Sequence, residues 1–140
     1  MIKKLLLAYD GSEPAKLAFE FAWEMAQRYQ CEFHVVSVAH PPEYGTEGET
    51  EAVIERSITH FRSLLDVLKD RIGVNPIISA TFETLIGHPA EQIVLYAERN
   101  AIDHIVVGHR GSSLFERWLV GSVARRVIAY AHCAVTVVRK

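Results

Sequence analysis

Residues 107–123 read VGHRGSSLFERWLVGSV, with glycines at 108, 111 and 121 in a chain that holds eight. Glycine lets a ligand or another segment approach the backbone closely and permits positive φ at a turn. Gly121 and Ser122 precede an apolar-periodic stretch, so a helix is expected to open there with Ser122 as its N-cap. The first N–H groups of a helix lack internal partners and sit at the positive end of its dipole, which makes them an anion site. A capping box on Ser122 would place Glu or Gln at position 125, but Arg125 stands there and leaves no carboxylate to compete. Arg110, Arg117, Arg125 and Arg126 make the stretch basic in a mildly acidic chain. The chemistry on offer is phosphate held by backbone amides. A Gly-Ser cap and solvated arginines are each ordinary features; their convergence points to a ligand. The window matches neither GxxxxGK[ST] nor GxGxxG.

Other chemistries are poorly supplied. The histidines at 34, 40, 60, 88, 104, 109 and 132 show no paired ligand spacing such as HxxxH or HExxH, so no protein metal site is expected. Ser112 and Ser113 lie in no GxSxG elbow and have no neighbouring His-Asp pair, which argues against a hydrolase triad. Cys31 and Cys133 are far apart and read as small buried hydrophobes. Trp118 reads as packing or a subunit contact, and Trp23 as core or near-core on the first helix.

Five apolar runs of strand length position these residues: Lys3 to Tyr9, Glu32 to Val38, Pro76 to Phe82, His104 to Val107 and Ala134 to Val138. They lack clean alternation, as strands covered on both faces do. Helices are expected over about Glu13 to Tyr29 with Ser12 as N-cap, about Glu51 to Arg71, after Gly87 with Pro89 in the first turn, and from Ser122 to about Ala131. Residues 40–50, with two prolines and two glycines, read as a mobile loop. Alternating strands and helices imply an α/β fold, an open five-stranded parallel sheet with helices on both faces. Ligands bind such sheets at the carboxyl ends of strands. Strand one ends in Asp10-Gly11-Ser12 and strand four in Gly108-His109-Arg110-Gly111, so the two corners face one crevice if these strands are neighbours.

Length and composition agree. The chain has 140 residues, 49% hydrophobic and 23% charged, with 15 Lys and Arg against 17 Asp and Glu for a net charge of -2. One domain over residues 1–140 is expected. The charge excess of a nucleic-acid binder is missing. The N-terminal MIKKLLLAYDGSEP has too short an apolar run for a signal peptide, and no stretch nears the roughly 18 apolar residues of a membrane span, so a cytoplasmic protein is expected.

The pattern Gly, two residues, Gly, nine residues, Gly, Ser at Gly108, Gly111, Gly121 and Ser122 resembles the nucleotide-binding signature of the ATP-binding branch of the universal stress protein family. The Asp-Gly-Ser after strand one, the Gly-x-Pro-Ala-Glu at helix three, the Asp103-led strand four and the closing Cys-x-Val-x-Val-Val-Arg extend the resemblance over the whole chain. It implies a Rossmann-like sheet in the order 3-2-1-4-5, which makes strands one and four neighbours. It implies that Ala8, Tyr9 and Asp10 lie near ribose and adenine, and that Val38 contacts adenine through its backbone. The phosphates of ATP, or of AMP or ADP, would be held by Gly108, Gly111, Gly121, Ser122 and Val123, with Mg²⁺ accompanying them, and Val107, His109 and Arg110 would belong to the same nucleotide-binding segment. A homodimer through Ala134 to Val138 is implied too, an apolar edge that would otherwise invite aggregation. In that order strands two and five are three positions apart, roughly 14 Å, too far for a Cys31–Cys133 disulfide. The chain departs from the family's habits with His109, where a small hydroxyl residue is usual, and with Ala134, where proline is common. His109 is open to three roles: donating to a phosphate, titrating near neutral pH, or pointing to solvent.

A nucleotide-dependent regulatory or stress-response protein follows, with hydrolysis slow at most: only Asp10, His109 and Glu116 are near enough to orient water. An adenylating enzyme would need a Ser-Gly-Gly phosphate loop after strand one, which Tyr9-Asp10-Gly11-Ser12 does not supply. A phosphoacceptor receiver would need paired acidic residues there, and only Asp10 is present. A nucleotide-free interaction protein would have no use for the glycine pattern.

Overall fold

The computed structural model describes residues 2–109 and 121–139. Strands and helices alternate: β1 (Lys4–Ala8), α1 (Glu13–Tyr29), β2 (Glu32–Ala39), α2 (Glu47–Ile72), β3 (Ala80–Ile86), α3 (Pro89–Arg99), β4 (His104–Gly108), α4 (Ser122–Tyr130) and β5 (Ala134–Val138). The strands pair in parallel in the order β3-β2-β1-β4-β5, as expected. Side chains alternate across the sheet and fill two separate cores. Leu5, Leu7, Phe33, Val35 and Val106 pack under α1 and α2, while Leu6, Val36, Ile105 and Val107 pack under α3 and α4. The central strands therefore read as unbroken apolar runs because both of their faces are covered. Alanines at 15, 18, 22 and 26 form the buried stripe of α1, so this helix approaches the sheet closely.

Helix α1 has the expected bounds, and the Ser12 hydroxyl accepts from the Ala15 N–H at 3.3 Å. Helix α2 begins four residues earlier than expected, inside the stretch taken for loop. Its start is a capping box: Thr46 Oγ1 accepts from Glu49 N and Glu49 Oε2 accepts from Thr46 N, both at 3.1 Å. The two glycines at 45 and 48 hid this signal. Strand β3 lies four residues later than the apolar run Pro76 to Phe82 suggested. The Asn75 carboxamide accepts from Ile77 N at 2.8 Å and Ile78 N at 3.0 Å, which bends those residues into a turn before the strand. Ile78 is still buried, so it contributes to the core without belonging to the strand. Trp23 packs partly buried against the core, its ring 5.7 Å from that of Phe33.

Candidate functional site

Pairing of Leu5 with His104, Leu6 with Ile105 and Leu7 with Val106 sets β1 directly beside β4. The ends of β1 and β4 therefore lie side by side at the carboxyl edge of the sheet, where ligands bind folds of this kind. At the β1 corner Asp10 is exposed, and its Oδ1 accepts from Ser12 N at 3.0 Å and from the Ser12 hydroxyl at 2.6 Å. Gly11 turns between them at φ +81°, a conformation that disfavours any side chain.

Tyr9 does not face the crevice. Its ring is buried edge-on against Phe19 with centroids 6.4 Å apart, and burial pushes its phenol above the usual tyrosine value. Its N–H donates to Val36 O at 2.8 Å, and its carbonyl accepts the Ser37 hydroxyl at 2.6 Å. The side chain of Tyr9 is part of the core. Ser37 escaped the sequence because a buried serine in an apolar strand carries no motif.

Ala8, Val38 and Val123 are partly buried around the core that contains Val107, together with Leu85. Ala8 pairs with Val36, so Val38 stands two residues further out, level with Asp10. These side chains from β1, β2, β4, β3 and the first turn of α4 belong to the apolar core between the sheet and α3 and α4.

At the β4 corner, packing constrains Gly108 and His109. A Cβ on Gly108 would stand 2.9 Å from the Pro14 carbonyl carbon, 3.0 Å from its oxygen and 3.1 Å from Ala15 N. Gly108 is thus glycine because the first turn of α1 packs backbone to backbone upon it, and it is not among the positive-φ residues. His109 is buried, 6% exposed, so it does not point to solvent. Its N–H donates to Val138 O at 2.8 Å, and its carbonyl accepts from Gly121 N at 2.7 Å. Arg110 and Gly111, with Ser112, Ser113, Glu116, Arg117 and Trp118, lie outside the described residues.

The N-cap of α4 is Gly121, not Ser122: Gly121 is extended at φ -60°, ψ 158°, its carbonyl accepts from Arg125 N at 3.0 Å, and no side chain among the described residues caps the helix. Ser122 is the first helical residue, and the position three beyond the cap is the buried Ala124 rather than Arg125. The consequence survives the shift, since the first turn holds no acidic residue. Gly121 N is committed to His109, so Ser122, Val123 and Ala124 are the amides without an acceptor inside the helix. Arg125 and Arg126 are exposed beside them.

His34 Nδ1 lies 2.7 Å from the Tyr96 hydroxyl and Nε2 lies 3.2 Å from Glu32, linking β2 to α3. Desolvation and the neighbouring Glu83 raise the Tyr96 phenol to about 12. Both cysteines are free, with burial raising their thiols. No group of three or more His, Cys, Asp or Glu among the described residues could hold a metal.

The universal stress protein family model matches residues 1–139. A universal stress protein of Methanocaldococcus jannaschii is 34% identical over 143 residues, covering 100% of this chain and 84% of that protein. The structure of universal stress protein UspA from Lactobacillus plantarum superposes with a TM-score of 0.90 at 26% identity, covering 99% of this chain and 98% of that one. A family member from Arabidopsis thaliana with AMP bound shares the fold at a TM-score of 0.66 and 18% identity, over 99% of this chain and 92% of that one. The chain belongs to the universal stress protein family.

Proposed function

We propose that the chain binds an adenine nucleotide, ATP with Mg²⁺, in the crevice between the β1 and β4 corners, and acts as a nucleotide-dependent stress-response regulator. The observation that carries this is the start of α4: a helix with no acidic residue in its first turn and no side-chain cap from the described residues. The amides of Ser122, Val123 and Ala124 would hold phosphate. Partly buried Ala8, Val38 and Val123, beside Val107, would border the base, and exposed Asp10 would meet the ribose. These residues fit a ligand that is flat and apolar at one end and anionic at the other. AMP bound to the Arabidopsis relative supports the same class of ligand. Mg²⁺ would be held chiefly by phosphate oxygens, given the lack of a carboxylate cluster among the described residues.

Hydrolysis is slow on this account, because among the described residues Asp10 is tied through Oδ1 to Ser12 and His109 is buried. We take residues 1–140 as one unit that acts in the cytoplasm and pairs as a homodimer through β5. Support for pairing comes from α1: Leu17 and Phe21, 38% and 42% exposed, lie on the flank opposite Phe19 and Trp23, which face β2. That flank points toward β5, an edge strand. Denaturing the freshly purified protein and identifying released nucleotide by mass spectrometry tests the binding. Adenine nucleotide in near-stoichiometric amount is expected; no release, together with no thermal shift on adding ATP and Mg²⁺, refutes it.

A further inference from the structure

We infer that Gly108 is a positioning residue that sets the width of the crevice, by letting the first turn of α1 rest on the end of β4, and that it makes no phosphate contact. This rests on the nucleotide reading above. Three backbone atoms of Pro14 and Ala15 would lie within 3.1 Å of a Cβ at position 108. Backbone cannot swing aside as the tip of a side chain can, so any residue other than glycine must displace α1 from β4. The displaced turn follows directly on Asp10, Gly11 and Ser12, the corner at the end of β1. Asp10 is tied to Ser12 by two hydrogen bonds, and Ser12 to Ala15 by a third. The corner therefore moves with the turn. Val107 and Gly108 continue the ladder to Val137 and Val138, so β4 is held in place while α1 gives way.

The two roles predict different losses. A widened crevice weakens the grip of the β1 corner on the nucleoside, whereas a lost phosphate contact weakens only the phosphates. Adenosine and ATP with Mg²⁺ are titrated into wild-type protein and Gly108→Ala by calorimetry, and amide NMR spectra of both proteins are recorded without ligand. Affinity for adenosine and for ATP should fall by a common factor, and the ligand-free amides of residues 10–16 should shift. A fall for ATP alone overturns the inference, as does a lower melting temperature with both affinities unchanged. Should Gly108→Ala not fold, wild-type protein titrated with inorganic triphosphate decides: the amides of Ser122 and Val123 should move and that of Gly108 should not. If wild-type protein binds neither ligand, the nucleotide reading fails, and unshifted amides at residues 10–16 in the variant would separately overturn the packing role.

Discussion

The hydroxyl of Ser37 gives its one proton to the Tyr9 carbonyl, which lies where β1 ends and the crevice begins. Ser37→Ala would leave that acceptor without its partner in a buried setting and should cost about 1 to 3 kcal/mol, read from chemical denaturation. A second residue-scale expectation concerns pH. Burial lowers His104 below the usual histidine value, against a smaller opposing effect of Asp103, and its Nε2 lies 2.6 Å from Thr136 Oγ1. Because its folded value is depressed, the unfolded chain binds the proton first. Stability should therefore fall as pH drops below the ordinary histidine range and level off below the folded value. His104→Gln should flatten that limb in melts recorded between pH 7 and 5; an unchanged slope would assign it to other groups. At this scale the sequence was only partly legible. It displayed Gly108 but not the Pro14 backbone that explains it, since a missing Cβ acquires meaning only from what stands opposite. Tyr9 likewise gave no sign of which way its ring turns.

Elements were easier to read where both faces of a strand are covered. β1, β2 and β4 announce themselves as apolar runs because burial on two sides demands it. β3 is an edge strand of mixed exposure, so its residues are less uniformly apolar than the turn before it, and the expected strand slid toward that turn. The start of α2 was legible in principle through Thr46 and Glu49. Thr46→Ala should cost about 0.5 to 2 kcal/mol in a denaturant melt, and a neutral result would mean that the first turn frays regardless of its cap. At the other end of the sheet, Asp103 Oδ2 accepts from Lys3 N at 2.9 Å and Lys4 N at 3.1 Å, so the residue before β4 anchors the start of β1. The carboxyl-edge crevice thus sits between two strands that are tied together at their opposite ends.

For the whole molecule, two surfaces meet at one residue: His109 bonds Val138 at the end of β5 and Gly121 at the cap of α4. If β5 pairs two copies, Phe21→Glu on the exposed α1 flank should turn a dimer into a monomer in sedimentation velocity without lowering the melting temperature. A dimer that persists would move the interface elsewhere. The central claim is that the open start of α4 binds the phosphates of an adenine nucleotide, and Ser122→Pro tests it most directly. Proline is accommodated at the first helical position, and the extended Gly121 before it already has a compatible backbone, so the helix should survive with one amide donor removed. Calorimetric titration of ATP with Mg²⁺ should show wild-type binding weakened about 10- to 100-fold in Ser122→Pro, as loss of a hydrogen bond to a charged group implies. Equal affinity in the two proteins, or no binding by wild-type protein, would contradict the account.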